Sequence, residues 1–293
     1  KKYRYAEFRG EQISLGLKIK HAIAYKLVLQ KIRDLLGGRL NFFSAGGAPL
    51  GKEIEEFFFA ANIFIAQGYG LTETAPVISY NSPTDFKFGT VGKPMSINHV
   101  KIAPDGEILV KGDNVMIGYY GKPEATKEVM TEDGYFMTGD IGEIDEDGFL
   151  IITDRKKDII ITANGKNIAP QGIESKIGQD YYVEQVAIIG DKERYLTALV
   201  VPSFLALEEY ANEIGIAFYS HDDLVKNPEI IKFYHDRIEA KTKDQPHWEK
   251  IQKFTLLPDL FTVEKGEITP TMKIKRKVLA ENYKDVIQNM YSA

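Results

Sequence analysis

The chain has 293 residues and a formal charge of -5, and 44% of its residues are hydrophobic against 27% charged. This balance excludes a disordered chain, and the negative total gives no general attraction to nucleic acid. Cysteine is absent, which excludes disulfides, thiolate metal sites and a cysteine nucleophile. No apolar run approaches the ~20 residues that a membrane-spanning helix needs. We therefore expect a cytoplasmic protein and leave peripheral membrane contact open. The length of the chain predicts two domains.

The first part of the chain alternates predicted helices, strands and glycine-containing loops. Helical spacing of apolar residues predicts a helix over 18–36, and strands are predicted at 40–43 and 63–66. The helix between the strands is expected to present an apolar face formed by Ile54, Phe57, Phe58 and Ala61. This alternation predicts an α/β fold with parallel strands, whose ligands bind beyond the carboxyl ends of the strands.

From about residue 88 the pattern changes to short strands joined by turns. Hairpins are predicted around Pro104-Asp105-Gly106 and around 145–148, so 88–153 is expected to be a small antiparallel region. Beyond the polar stretch 153–158 the pattern mixes again. Strands are predicted near 186–189 and 196–201, and helices near 204–214 and 229–243. A single uninterrupted last helix is predicted from about residue 276. We therefore expect domains at 1–153 and 154–293.

The segment from Gln67 to Thr74 carries the densest set of chemical groups. Its glycines let the backbone approach a flat ligand, and Tyr69 between them can lie against a ring. Thr72 offers a hydroxyl to a phosphate, and Glu73 offers a carboxylate to Mg²⁺. An ordinary surface turn explains these residues equally well.

Three further groups have both a functional and a structural interpretation. The amides of 46–48, between a strand and a helix, can face an anion or a base edge, although such glycine turns are common. Asp140 can accept hydrogen bonds from vicinal ribose hydroxyls, or cap a turn. Lys273 follows a stiff loop that can fix its direction. Lys273 also begins a basic run, 273–277, which the solvated start of a helix explains well. A nucleic-acid-binding patch explains the same run less well.

Six segments in order make the sequence similar to the adenylate-forming, or AMP-binding, superfamily. They are 46–50, 69–73, 106–119, 138–140, 154–165 and 270–273. The superfamily includes acyl-CoA synthetases, luciferases and peptide-synthetase adenylation domains. Residues 154–158, 165–170 and 269–273 most resemble long-chain fatty acid CoA ligases. The resemblance implies the later part of a large α/β nucleotide-binding domain, followed by a small mobile α+β domain that carries the catalytic lysine.

The resemblance also implies an ATP site with contributions from both domains. The residues implied to border the adenine are Gly46, Gly47, Ala48, Gln67, Gly68 and Tyr69, and Gly70 is also implied to bind the nucleotide. Thr72 would meet the α-phosphate, Glu73 would hold Mg²⁺, and Asp140 with Arg155 would bind the ribose. Lys273 would contact the reacting carboxylate and phosphate, so that Lys273, Glu73 and Thr72 act directly in adenylation. Lys157 would be the hinge, and Gly165 would line the path of the CoA pantetheine arm.

The implied reaction joins a fatty acid to AMP at the expense of ATP, and then transfers the acyl group to CoA. The phosphate loop of the family, rich in serine, threonine and glycine and followed by Pro-Lys-Gly, is not found in the sequence. We therefore expect a fragment with little ligase activity alone. A carrier-protein-loading adenylating enzyme and a non-catalytic acyl- or nucleotide-binding relative remain alternatives. Acyl chain length and oligomeric state are not readable from the sequence.

Overall fold

The computed structural model describes residues 1–270 and 272–292. The chain divides into two units, Lys1–Thr153 and Asp154–Ala293, which are called the first and second units below. The division falls inside the polar stretch 153–158, where a boundary is expected from the sequence. The functions assigned to the two parts remain predictions.

The first unit contains five α-helices among its described residues. They are α1 (Lys2–Phe8), α2 (Leu15–Ala24), α3 (Gln30–Leu35), α4 (Lys52–Ala60) and α5 (Pro123–Glu128). A π-helical turn, Tyr25–Leu29, joins α2 to α3. The predicted helix over 18–36 is thereby confirmed as one nearly continuous helical segment.

Eight strands begin in the first unit and form two sheets. They are β1 (Phe42–Ala45), β2 (Phe64–Tyr69), β3 (Ser79–Tyr80), β4 (Lys93–Pro94), β5 (Asn98–Ile102), β6 (Glu107–Gly112), β7 (Phe136–Ile144) and β8 (Leu150–Arg155). The sheet orders are β1-β2-β3-β4 and β5-β6-β7-β8. Strands β1 and β2 are parallel, and β5, β6 and β7 pair antiparallel, as the sequence predicts. A shared core of Tyr69, Ile78, Ile108 and Leu150 joins β2 to the second sheet.

The face of α4 that is buried differs in part from the apolar face that the sequence predicts. The residues of α4 that are buried are Glu55 and Phe59, whereas Ile54 and Phe57 are 37% and 49% exposed. Phe59 turns inward because it packs edge-on against Phe86 and Phe88 of a later loop and against Tyr5 of α1. Those partners are distant in sequence, so helical periodicity alone could not select this face.

The second unit is built on a three-stranded sheet and a short hairpin. Its strands are β9 (Ile160–Ile161), β10 (Asn167–Ile168), β11 (Val183–Ile189), β12 (Leu196–Pro202) and β13 (Ile251–Leu256). Strand β11 runs antiparallel to β12, and β13 runs parallel to β12. Strands β9 and β10 form the separate hairpin.

Six helices cover the two faces of this sheet within the described part of the unit. They are α6 (Pro170–Gly178), α7 (Phe204–Glu213), α8 (His221–Lys226), α9 (Pro228–Thr242), α10 (Arg276–Asn282) and α11 (Lys284–Tyr291). The prediction of one continuous last helix is wrong, because Tyr283 leaves the helical conformation at φ -108° and ψ 24°. Its ring packs edge-on against Phe261. Among the described residues, none of the helices combines the length and hydropathy needed to cross a bilayer.

Candidate nucleotide-binding site

The end of β2 and the middle of β7 meet at a buried hydrogen bond. The hydroxyl of Tyr69 donates to Oδ2 of Asp140 at 2.7 Å, and both side chains are buried. The Asp140 N–H donates to the hydroxyl of Thr138, which in turn donates to the carbonyl of Ile108 on β6. Because both its backbone and its side chain are held, Asp140 presents a carboxylate in one fixed position.

Gln67 on β2 holds a polar atom that the fold leaves unsatisfied. Its backbone carbonyl accepts from the Asn81 N–H at 2.8 Å. The side-chain oxygen Oε1 is buried and has no hydrogen-bond partner among the described residues. Buried polar atoms are rarely left unpaired, because each lost hydrogen bond costs about 1–3 kcal/mol. A ligand N–H group would satisfy this oxygen.

Glycines allow close backbone packing around Tyr69. A Cβ added to Gly46, just after β1, would lie 3.3 Å from the carbonyl oxygen of Gly68. A Cβ added to Gly70 would lie only 1.6 Å from the carbonyl oxygen of Pro76. Gly47 has a φ of +83° and is exposed, as is Ala48. The loop after β1 therefore borders the end of β2, as parallel neighbours in a sheet require.

Glu73 lies in a 3₁₀ turn, Thr72–Thr74, directly after β2. Its backbone carbonyl accepts from the Met116 N–H at 2.7 Å, and its Oε1 accepts from the hydroxyl of Tyr119 at 3.0 Å. Burial and the neighbouring Glu73 carboxylate raise the pKa of Tyr119. Thr72 is exposed. The side chain of Glu73 is thus held through one of its two carboxylate oxygens, Oε1.

A magnesium ion fits Glu73 only if a substrate supplies the remaining ligands. The second carboxylate oxygen of Glu73 has no hydrogen bond within the described residues. These residues also contain no cluster of three or more acidic, histidine or cysteine side chains that could hold a metal by themselves. Magnesium commonly takes one or two carboxylates together with phosphate oxygens and waters. Glu73 matches that donor set.

Tyr119 and Glu107 make contacts within the site for which the sequence predicts no role. Oε1 of buried Glu107 accepts from the Gly139 N–H at 2.8 Å, which shapes the turn before Asp140. Tyr119 ends one of the segments that resemble the superfamily, and this was the only available indication of its importance. Pairing across 32 and 46 residues leaves no local pattern in a sequence.

The second unit carries Arg155, Lys157, Gly165 and Lys273. Arg155 ends β8, and its N–H donates to Oδ1 of Asp154 at 2.6 Å. Burial raises the pKa of Asp154 to about 6, although the N–H groups of Arg155 and Gln171 and the charge of Arg276 oppose that rise. Lys157 follows in an exposed turn.

Gly165 and Lys273 occupy two loops with defined backbone geometry. Gly165 has a φ of +71°, and its N–H donates to the carbonyl of Thr162 in the β9–β10 hairpin. Lys273 is exposed; its N–H donates to the Thr269 hydroxyl at 3.0 Å, and its carbonyl accepts from the Thr269 N–H at 2.8 Å. Thr271, part of the segment 270–273, lies outside the described residues.

These two loops belong to opposite faces of the three-stranded sheet. Ile160 and Ile168 of the β9–β10 hairpin pack in one core with Ile188 of β11. Ile268, beside the Lys273 loop, packs in the other core with Ile189 of β11. Successive residues of a strand point to opposite faces. The hairpin of Gly165 and the loop of Lys273 are therefore attached to different sides of one sheet.

The structure thus brings one group of the predicted site residues together within the first unit. Residues 46–48, Gln67 to Glu73, and Asp140 cluster around the end of β2. Arg155, Lys157, Gly165 and Lys273 lie in the second unit, and their meeting with the first group stays a prediction.

Both units match known protein families. The profile of AMP-binding enzymes matches residues 15–120, and that of the AMP-binding enzyme C-terminal domain matches residues 157–293. Together the two matches show a mixed α/β adenylation-domain fold, and the chain belongs to the AMP-binding superfamily. The resemblance seen in the sequence is confirmed.

Individual relatives agree with this assignment. A long-chain fatty acid CoA ligase of Mycobacterium bovis is 42% identical over 279 residues, which are 95% of this chain and 46% of the relative. Long-chain fatty acid CoA ligase 5 of Rattus norvegicus is 34% identical over 96% of this chain and 43% of its own. ATP-bound MatB of Rhodopseudomonas palustris is 28% identical with a TM-score of 0.63, over 89% of this chain and 50% of that one. The chain spans about half the length of the curated relatives it matches.

Proposed function

We propose that the chain supplies the adenine- and ribose-binding part and the catalytic-lysine domain of an AMP-forming long-chain fatty acid CoA ligase. The hydrogen bond between Tyr69 and Asp140 carries this proposal, because it fixes a ring and a carboxylate side by side. A ring can lie against adenine, and a fixed carboxylate can accept hydrogen bonds from two vicinal ribose hydroxyls. The fatty acid substrate is proposed from the names of the relatives.

Base recognition is assigned to the residues around the end of β2. The unpaired Oε1 of Gln67 can accept a hydrogen bond from an N–H of the adenine edge. Gly46, Gly47 and Ala48 would border the ring on one side, with Gly68, Tyr69 and Gly70 on the other. Arg155 would join Asp140 at the ribose.

Adenylation needs positive charge, because a carboxylate attacks an α-phosphate and two anions must approach each other. The bond between the carboxylate oxygen and phosphorus forms while pyrophosphate leaves. Glu73 would hold the magnesium ion that neutralises the phosphates, and Thr72 would donate its hydroxyl to the α-phosphate. Lys273 would place its ammonium group between the reacting carboxylate and phosphate. The protein then needs no nucleophile of its own.

The second step requires different groups beside the same acyl carbon. The CoA thiolate attacks the acyl carbonyl, a thioester forms, and AMP leaves. Because the loops of Gly165 and Lys273 are attached to opposite faces of one sheet, a rotation of the second unit would exchange one loop for the other. Lys157, in an exposed turn after β8, is the proposed hinge.

The first test measures AMP binding to the 293-residue chain by titration calorimetry. Saturable binding is expected, with Gln67→Leu and Asp140→Ala each weakening it about tenfold or more. Glu143→Gln, an exposed substitution on the same strand, is the matched control and should bind like the parent chain. No binding by the parent chain, or equal affinities for Asp140→Ala and the control, would contradict the proposal.

The second test follows both half-reactions on the longest reading frame that encodes this chain. Lys273→Ala should lower ATP–pyrophosphate exchange by about a hundredfold or more, while leaving acyl transfer from supplied acyl-AMP to CoA largely intact. Glu73→Gln should lower exchange and shift the magnesium dependence upward. Transfer of the acyl group to a carrier protein but not to free CoA would contradict the ligase assignment.

A further inference from the structure

Beside the end of β2, a tyrosine is bonded to the carboxylate that is proposed to hold magnesium. The hydroxyl of Tyr119 donates to Oε1 of Glu73 at 3.0 Å, across 46 residues of sequence. Among the described residues the Glu73 carboxylate has no other hydrogen bond and no ion pair. Both residues are partly exposed. Tyr119 therefore occupies one carboxylate oxygen and leaves the other, Oε2, free for a ligand.

The backbone of the turn that carries Glu73 is held by other contacts. The Glu73 carbonyl accepts from the Met116 N–H at 2.7 Å, and the Thr74 carbonyl accepts from Nδ2 of Asn114 at 2.7 Å. These two bonds fix the 3₁₀ turn with or without the hydroxyl of Tyr119. The bond from Tyr119 therefore acts on the side chain of Glu73 rather than on the fold of the turn.

The backbone of Tyr119 is itself fixed to α5. Its N–H donates to the hydroxyl of Thr126 at 2.9 Å, and that hydroxyl donates in turn to the carbonyl of Lys122 at 3.1 Å. Gly118 permits this close approach, because a Cβ added there would lie 2.9 Å from the Thr126 hydroxyl oxygen. The phenol is thus attached to a helix, and side chains supported by regular elements are placed more precisely than those on free loops.

A neutral donor suits a carboxylate that must bind a metal ion. A lysine or arginine in the same place would neutralise the charge that attracts the ion, whereas a hydroxyl leaves that charge in place. A glutamate without any partner has several rotamers, and ordering them when the ion binds weakens the affinity. Partners that orient a metal ligand are accordingly worth about 10–100-fold in metal affinity or activity.

We propose that Tyr119 is the positioning residue of the magnesium site: its hydroxyl holds Oε1 of Glu73 and leaves Oε2 available to the ion. This assignment rests on the proposed function, in which Glu73 holds the magnesium. Tyr119 acts through Glu73 and contacts neither the ion nor the nucleotide. Its loss should therefore alter the magnesium requirement of adenylation and leave a step that needs no metal unchanged.

Metal binding gives a readout that does not depend on turnover. Mn²⁺, a paramagnetic substitute for Mg²⁺, is titrated together with α,β-methylene-ATP into the product of the longest reading frame that encodes this chain, and water-proton relaxation reports the bound ion. Tyr119→Phe keeps the ring and removes only the hydroxyl, so it should weaken binding of the ion about tenfold. The affinity for AMP without metal should stay unchanged. Tyr120→Phe, the same substitution at the fully exposed neighbour, is the matched control and should bind like the parent protein.

Kinetics on the same protein separate a positioning role from a structural one. In ATP–pyrophosphate exchange, Tyr119→Phe should raise the Mg²⁺ concentration needed for half-maximal rate about tenfold. Transfer of the acyl group from supplied acyl-AMP to CoA should keep its rate, because that step does not use the ion. In a Glu73→Gln background, Tyr119→Phe should have no further effect on the magnesium dependence, since the hydroxyl acts through Glu73.

The outcomes keep this inference distinct from the proposed function. If Glu73→Gln shifts the magnesium dependence but Tyr119→Phe behaves like Tyr120→Phe, the positioning role is wrong and the ligase assignment stands. Equal losses of both half-reactions in Tyr119→Phe would show a structural role and would also overturn the inference. If Glu73→Gln leaves the magnesium dependence unaltered, or the parent protein binds no Mn²⁺ with the nucleotide, the proposed role of Glu73 fails and this inference fails with it.

Discussion

Gly70 occupies a position with no room for a side chain. A Cβ there would overlap the Pro76 carbonyl oxygen, and only a backbone shift next to Tyr69 could relieve the clash. We expect Gly70→Ala to destabilise the first unit by about 3 kcal/mol or more and to weaken AMP binding. Calorimetric unfolding measures the first effect. The control is Gly16→Ala on α2, where an added Cβ would have no atom within 4 Å, so this change should be neutral or slightly stabilising. An equal loss of stability in both variants would refute this reasoning.

Glu55 is a buried carboxyl group with a raised pKa. Burial raises its pKa from the ordinary 4.5 to about 7, although the Gly89 N–H, 2.7 Å from Oε2, works against this rise. The folded protein therefore holds the proton more tightly than the unfolded chain. The resulting stabilisation is complete below pH 4.5 and is lost as the pH rises through about 7.

We expect the first unit to lose on the order of 3 kcal/mol of stability between these two pH values because of Glu55. Glu55→Gln keeps an acceptor for the Gly89 N–H and should flatten that slope. Denaturant unfolding from pH 5 to pH 8 measures it, with the exposed Glu53→Gln on the same helix as control. A slope unchanged in Glu55→Gln would show that another group causes the pH dependence.

At the scale of elements, α10 is attached to the edge of the second unit's sheet by a partly buried ion pair between Arg276 and Glu174. Arg276 donates from Nε to the carbonyl of Ile188 at 2.9 Å and from its terminal guanidinium group to Glu174 Oε1. Glu174 Oε1 also accepts from the Ile188 N–H at 2.8 Å. Strand β11 is an edge strand, so this pair satisfies backbone groups that no strand covers. It also joins α6, which follows the Gly165 hairpin, to the helix that follows Lys273.

Removing one partner leaves a partly buried charge without compensation, so we expect Arg276→Ala to destabilise the second unit by about 2–3 kcal/mol. Urea unfolding followed by the fluorescence of Trp248, the only tryptophan of the chain, reports this unit specifically. Lys277→Ala, an exposed neighbour on the same helix, should change stability by less than about 0.5 kcal/mol. Comparable losses in the two variants would show that the ion pair does not anchor α10.

At the scale of the whole molecule, the chain consists of two units with separate hydrophobic cores. The turn after β8 carries consecutive basic residues, and Lys156 and Lys157 are exposed. We expect trypsin at low concentration to cut there first and to release two stable halves of similar size, as gel electrophoresis and mass spectrometry would show. Lys156→Gln with Lys157→Gln should slow this cut. First cleavage inside either unit would contradict the expectation.

Local features of the sequence determined most of the elements. The hairpin around Asp105-Gly106 and the alternation of strand, loop and helix before residue 70 follow from turn chemistry and periodicity, which act over a few residues. The order of motifs determined the superfamily. The buried face of α4 and the break at Tyr283 were not predictable, because Phe86 and Phe261 decide them from far along the chain.

For the candidate site, the sequence by itself determined which residue types are present and in what order. Only the tertiary structure decided that the Tyr69 hydroxyl meets Asp140 across 71 residues, that the Gln67 oxygen is left without a partner, and that the Tyr119 hydroxyl reaches Glu73. The physical reason is that turn and helix propensities depend on neighbours in sequence. Hydrogen-bond pairing and burial instead depend on which distant surfaces the packed core brings together.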